Sequence, residues 1–361
     1  MNIQEPGGAG ATRRVRLADV AAAAGVSTSA ASFVLNGRTD QRIPEETKER
    51  VRRAAEELGY RPNATARTLR TGTSGAYAFV SDFISSTSVA NAMVRGALRE
   101  LDAHGALMFA VETQGNADME RRLIEQLVDR HIDGVIYASM FTRHVAIPEL
   151  PAGVRLVLLN CLPPAGAADQ GVTAVVPDEL GAGRAAAQVL LTAGHRDRIA
   201  FLGSFPDGMS GGQEWGGLHP LALDLRVQGI TARLAESGLA LVDSIPVTGW
   251  DVADGQAAAE TLVGAALPSA IICANDRLAL GVMRALRRHG VRVPEDLSLV
   301  SFDGSQLADI TDPPLASLAL PLEGMGRHAA LRVLEDAPSP TVELLPMPLG
   351  RTGTIAPPPL P

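Results

Sequence analysis

Residues 12–36 read TRRVRLADVAAAAGVSTSAASFVLN, and the fold turns on whether this stretch is an export signal or a pair of short helices. Paired arginines, an alanine run and small residues imitate a signal. Against that reading, Asp19 interrupts the run, alanine is only weakly hydrophobic, and Gly25 breaks the pattern after about two turns. Helical spacing explains more of the sequence. Leu17, Val20, Ala21 and Ala24 fall at i, i+3, i+4 and i+7 and make one apolar face. Gly25 ends that helix and Ser27 is placed to cap a second, in which Ala31, Val34 and Leu35 face inward while Thr28, Ser29, Ser32 and Phe33 face out. Two such helices around a glycine turn make a helix-turn-helix. A third helix opens near Pro44 with Glu45 and Glu46 in its first turn, and Val51, Ala54 and Leu58 form its inward stripe. Residues 1–62 are therefore expected to be an all-α helix-turn-helix head.

Charge separates this head from the rest. The chain of 361 residues carries a net charge of -8, which by itself argues against a nucleic-acid partner. Yet residues 1–73 hold 12 Lys+Arg against 8 Asp+Glu, leaving 20 against 32 in the remainder. A basic head on an acidic body is the asymmetry of a protein that meets a polyanion at one end only. No window approaches the roughly 18 uninterrupted apolar residues of a membrane helix. Cys161 and Cys273 stand far apart in the apolar runs VLLNC and AIIC, with neither a metal-ligand spacing nor a disulfide framework, so a reducing, cytoplasmic compartment is expected.

Residues 63–73 follow as a short polar segment, with Pro62 before a candidate cap at Asn63. On composition it reads as a plain linker, with room for about two helical turns that would order only against a partner. From residue 76 apolar runs alternate with amphipathic stretches: AYAFVS, ALMFAV, DGVIYA, VRLVLL, TAVV, RIAFLG, ALVDSIPV, AIICA and LSLVSF. Strands alternating with helices predict parallel sheets covered on both faces. The runs are too many for one sheet, so residues 74–361 are expected to form two successive α/β lobes, as in periplasmic-binding proteins, with a break near 174–195. Ligands of such folds bind at the carboxyl ends of strands, here in a cleft shared by two lobes.

The ordered segments LADVAAAAGVSTSAASFVLNGR, RIPEETKERVRRAAEELGYRPNATARTL, HIDGVIYA, GHRDRIAFLG, AIICANDRLALGVMRALRRHGVRVPEDLSLVSFDG and TIAPP resemble the lactose-repressor (LacI) family of bacterial transcription regulators. The resemblance covers nearly the whole chain and rests on head, hinge and body occurring in order. It implies a ligand-responsive regulator, most simply a repressor, that binds a near-palindromic double-stranded DNA operator as a homodimer and takes a carbohydrate-like effector in the cleft. It also implies a major-groove role for Thr28, Ser29, Ser32, Phe33 and Asn36, the last two suited to a thymine methyl and to a phosphate. Phe33 stands where the family usually has arginine, and packing on the head's own core is the alternative for it. Arg16 replaces the usual threonine cap, so the first helix is expected to begin less cleanly. In the hinge the resemblance overturns the linker reading: Ala66 and Leu69 fall where the family presses a helix into the minor groove, with Arg67 and Arg70 on flanking phosphates. For the cleft it implies Arg226, Trp250, Asn275 and Asp303, with Asp82 and Asn160 as weaker candidates at strand ends. Individually, Arg226 also reads as a surface helix charge and Trp250 as a core aromatic.

The chain departs from the family at SSTSV, 85–89, and in SFPDGMSGGQEWGGLHPLALDL, 204–225, so no relative's effector carries over. The last residues, APPPLP, hold no leucine heptads, which favours a dimer. Two rivals remain. A free-standing sugar-binding protein would share the body but leave the head unexplained. An NAD-dependent oxidoreductase is suggested only by GAGRAA at 181–186, which follows DEL and reads as helix interior instead of a strand-to-helix turn. With no nucleophile elbow, HExxH or phosphate loop, neither enzyme chemistry, metal nor cofactor is expected.

Overall fold

The chain separates after Ser74 into two units, Met1–Ser74 and Gly75–Pro361. The computed structural model describes residues 15–35, 43–60, 72–83, 91–164, 166, 171–205, 220–263, 267–336 and 340–358.

In the first unit, α1 (Leu17–Ala24), α2 (Thr28–Leu35) and α3 (Glu45–Glu57) bury Val20, Ala21, Ala24, Ala31, Val34, Val51, Ala54 and Ala55 against one another. The chain turns by 102° between α1 and α2, within the range of a helix-turn-helix. Gly25, at φ 66°, makes the turn possible, and the Ser27 hydroxyl accepts from the Ala30 N–H at 3.1 Å. Two expectations change here. Helix α1 starts cleanly despite Arg16, because the Asp19 carboxylate accepts the Arg16 N–H at 2.8 Å. Leu58 is 39% exposed and Ala55 takes its inward place, since the chain leaves the helix at Gly59 and returns Tyr60 to the core instead.

The body holds two parallel sheets. In the first lobe β1 (Ala76–Ser81), β2 (Leu107–Glu112), β3 (Gly134–Ala138), β4 (Arg155–Leu159), β5 (Thr173–Pro177) and β11 (Val342–Leu345) run in the order β11-β5-β4-β3-β1-β2. Its helices are α4 (Asn91–Ala103), α5 (Ala117–Val128) and α11 (Leu322–Leu334). In the second lobe β6 (Ile199–Ser204), β7 (Asp243–Pro246), β8 (Ala270–Cys273), β9 (Ser298–Asp303) and β10 (Ala316–Ala319) run in the order β10-β9-β8-β6-β7. They pack with α6 (Glu179–Thr192), α7 (Leu221–Ala235), α8 (Val252–Glu260), α9 (Asp276–Arg288) and α10 (Gln306–Ile310). Along β1, Tyr77 and Phe79 join one core while Ala76, Ala78 and Val80 join another on the opposite face. A strand covered on both faces has no polar side to show, which is why it reads as an unbroken apolar run.

All nine expected runs are strands, β1 to β9, and β10 and β11 are additional. These two carry the chain between lobes. It passes out of the first lobe after β5, returns after β10 and passes out again after β11, where Leu349 bridges Leu318. The three passages are bonded side by side: the Asp178 N–H donates to Leu345 O and the Ala319 N–H to Pro348 O, each at 2.8 Å.

Three helix pairs cross at glycines, Gly96 with Gly326, Gly183 with Gly229, and Gly255 with Gly281. A Cβ at any of these six would stand between 2.0 and 2.2 Å from a carbonyl oxygen of the partner helix. GAGRAA accordingly lies inside α6, where Gly183 serves the approach of α7.

Candidate functional site

Among the described residues the body's buried carboxylates, Asp82, Glu179 and Asp276, and its buried Arg226 gather toward the carboxyl ends of the parallel strands. In the second lobe α7 presents Arg226, which is 7% exposed. Its Nε and Nη2 donate to the two oxygens of Glu179 at 2.6 and 3.1 Å, and its Nη1 donates to Ala274 O at 2.8 Å. The same Nη1 lies 3.6 Å from Asp303, and the guanidinium sits 4.6 Å from the centre of the Phe302 ring. Burial alone would lower the Arg226 pKa, but the negative charges of Glu179, Asp303 and Asp276 more than reverse it.

Asp303 ends β9 with φ at 101°, a conformation that non-glycine residues hold only where the surroundings enforce it. Burial pushes its carboxyl up to about 7, opposed by Arg226 and reinforced by Asp276 and Glu179. Asp276 is saturated: it accepts from the hydroxyls of Ser301, Ser317 and Ser305 at 2.5, 2.6 and 2.8 Å and from the Ser305 N–H at 2.7 Å. Asn275 caps α9 by accepting the Leu278 N–H at 2.8 Å, and its amide donates to Trp250 O at 3.2 Å, which ties the Trp250 loop to the helix. The Trp250 ring lies 4.8 Å from that of Phe205.

In the first lobe Asp82 accepts from the Ser139 hydroxyl at 2.9 Å, the Met140 N–H at 3.0 Å and Arg143 Nη2 at 3.1 Å. Arg143 Nε donates to Ser139 Oγ at 2.8 Å. Asn160, at φ 56°, accepts from Thr142 at 2.9 Å and donates to Ser139 O at 3.1 Å. The lobes meet beside this group, where the Ala222 N–H donates to Thr142 O at 3.2 Å. Ala222 and Arg226 lie one turn apart on α7, so the start of α7 that carries Arg226 also meets the loop that carries Thr142 and Arg143.

The structure thus joins Arg226 to Asp303, Asn275 to Trp250, and Asp82 to Asn160 through Ser139. It adds Glu179, Asp276, Arg143 and Phe205, which sequence reasoning passed over. Glu179 and Arg143 each follow a strand closely, so a search of every strand end for charged residues would have found them. On the head, Thr28 and Ser29 are exposed and Ser32 and Phe33 half-buried on α2. Asn36, Ala66, Arg67, Leu69 and Arg70, with 85–89 and most of the glycine-rich stretch, lie outside the described residues. Among the described residues no cluster of potential metal ligands occurs, and no single helix is long and apolar enough to cross a membrane.

Residues 16–63 match the family model for bacterial regulatory proteins of the lacI family, and residues 85–349 match that for periplasmic binding proteins and the sugar binding domain of the LacI family. The HTH-type transcriptional regulator CelR of Thermobifida fusca is 33% identical over 92% of this chain and 94% of its own. A complex of the transcriptional regulator CelR with cellobiose is 28% identical, with a TM-score of 0.59 over 94% of this chain and 100% of the other. The lac repressor dimer bound to operator and the anti-inducer ONPF superposes with a TM-score of 0.73 over 95% of this chain and 100% of the other, at 22% identity, a likeness of fold.

Proposed function

The chain belongs to the LacI family of bacterial regulatory proteins, and from that premise we propose that it is a DNA-binding transcription regulator, a repressor whose hold on its operator is set by a sugar-like effector. The observation that carries this reading is the presence on one chain of a basic helix-turn-helix head and of a two-lobed body with a polar cleft of the kind family members use for sugars.

On this reading Thr28 and Ser29 meet base edges in the major groove, Ser32 and Asn36 meet phosphates, and Phe33 offers its ring to a thymine methyl. Residues 63–73 order as a hinge helix on DNA, with Ala66 and Leu69 in the minor groove and Arg67 and Arg70 on phosphates. One such hinge is too short to hold alone, so two pair across a dyad and the working species is a cytoplasmic homodimer on a near-palindromic site. In the cleft Trp250 packs against a sugar ring while Arg226, Asn275 and Asp303, with Asp82 and Asn160 opposite, bond its hydroxyls. The effector acts by favouring one lobe arrangement, which couples it to DNA, and catalysis has no part in this cycle.

The test is selection of duplexes from a random pool by the full-length protein, followed by competition with sugars. Enrichment of a two-fold symmetric sequence, released or tightened by one sugar, is the expected result. Retention of DNA without sequence enrichment would refute the operator reading.

A further inference from the structure

The fork of an arginine is a ready dock for an acidic group, because two parallel N–H donors match a carboxylate or phosphate. Arg226, buried, and Arg143, half-buried, both have that edge filled from within the protein. Arg226 gives Nε and Nη2 to Glu179 at 2.6 and 3.1 Å, and its Nη1 is drawn away by Ala274 O at 2.8 Å. Arg143 gives Nε to Ser139 and Nη2 to Asp82 at 2.8 and 3.1 Å. Among the described residues a further arginine near these strand ends, Arg277 in the first turn of α9, is exposed and held by Asp251 at 2.5 Å. Neither 85–89 nor 204–225, the stretches that depart from the family, contains a lysine or arginine. Around Arg226 stand three carboxylates, Glu179, Asp276 and Asp303, against its single positive charge.

We propose that Glu179 is a specificity-determining residue of the cleft: by occupying the bidentate edge of Arg226 it withholds the anion dock, so that the effector is an uncharged sugar and sugar acids and sugar phosphates are rejected. The proposal rests on the cleft being the sugar site. Its physical content is that an incoming anion would have to displace a buried carboxylate already paired in two places and then sit beside Asp303, whereas a neutral polyol needs only hydroxyls that donate to carboxylate oxygens and accept the leftover N–H groups.

The experiment uses matched pairs on the full-length protein, each neutral sugar beside its acid or phosphate: cellobiose and cellobionate, glucose with glucuronate and glucose 6-phosphate, ribose and ribose 5-phosphate. Thermal shift and calorimetric titration are read for the wild type, Glu179→Gln and Arg226→Ala. Expected are a response of the wild type to a neutral member alone, with its charged partner weaker by about a hundredfold or more, and a recovery of about tenfold toward the charged partner in Glu179→Gln, which keeps the shape but frees one donor of Arg226. Should a charged sugar bind the wild type better than its neutral partner, and lose that affinity in Arg226→Ala, the cleft reading stands and the exclusion by Glu179 is overturned. The wild-type comparison needs no substitution, so a poorly folding variant does not blunt it. Silence toward every sugar of both kinds would remove the sugar cleft and this proposal together.

Discussion

At Asp303 the pH dependence has a definite sign. Its folded carboxyl titrates at about 7, above the ordinary range for aspartate, so between those values the folded state holds a proton that the unfolded state has released. The folded chain loses stability from this group as pH rises from the ordinary aspartate range to about 7, and the loss is complete above it. Asp303→Asn should therefore gain on the wild type over that window, by at most about 1.4 kcal/mol per pH unit, in urea unfolding followed against pH. Arg226→Ala should abolish the effector response while operator affinity stays intact. It should also cost about 3 kcal/mol of stability, because it leaves Glu179, 2% exposed, buried and unpaired. Glu179→Ala in the same chain should return part of that loss; a double variant no more stable than Arg226→Ala would mean that the pair is not what holds α6 to α7. At this scale the sequence was informative about single residues and poor about partnerships. Resemblance names Arg226, Asp303 and Trp250 as candidates, but that Arg226 gives its fork to Glu179, 47 positions away, depends on how α6 and α7 cross, which no local pattern records.

At the scale of elements, legibility followed burial geometry. The head's helices each bury one stripe, and a stripe leaves a period of 3.6 in the sequence. Strands β1, β3, β5, β6, β8 and β9 announced themselves as apolar runs because both faces are covered, whereas the edge strands β2 and β7 keep much of their length exposed. Strands β10 and β11 did not announce themselves: ASLA has small side chains, VELL carries a glutamate and two exposed apolar residues, and each is four residues long. Asp19 was read as evidence against a signal, whereas its structural work is to bond Arg16 and start α1. The glycine crossings give a prediction of their own. Gly183→Ala and Gly326→Ala place a methyl about 2 Å from a backbone carbonyl that cannot turn aside, so each should destabilise by ~3 kcal/mol or more in denaturant unfolding. Alanine tolerated within about 0.5 kcal/mol would show that the helices can part without penalty. In the hinge, Leu69→Ala should weaken operator binding far more than binding to random DNA in anisotropy titrations, because a wedge between base pairs acts only where the duplex bends. Equal losses on both duplexes would remove the wedge.

For the whole molecule, the charge division has a measurable consequence. Two basic heads meeting one duplex should release many counterions, so operator affinity should fall steeply and linearly with the logarithm of salt concentration, while sugar binding to the body should barely respond. A shallow slope for DNA would contradict a paired-head complex.

The three passages between lobes bear on motion. A single connecting strand would let two lobes swivel in any direction. Three strands hydrogen-bonded edge to edge, through Asp178 with Leu345 and Ala319 with Pro348, behave as a strap that bends across its width and resists twist and shear. Any movement of one lobe against the other is then confined to rotation about one line, whose direction the strap decides. Neither lobe, moreover, is a continuous stretch of gene: the first needs residues 322–345 from far downstream, and the second needs the residues beyond 346. Truncating the chain near its end would take the outer strand from the first lobe and Met347 and Ile355 from the core of the second in a single cut.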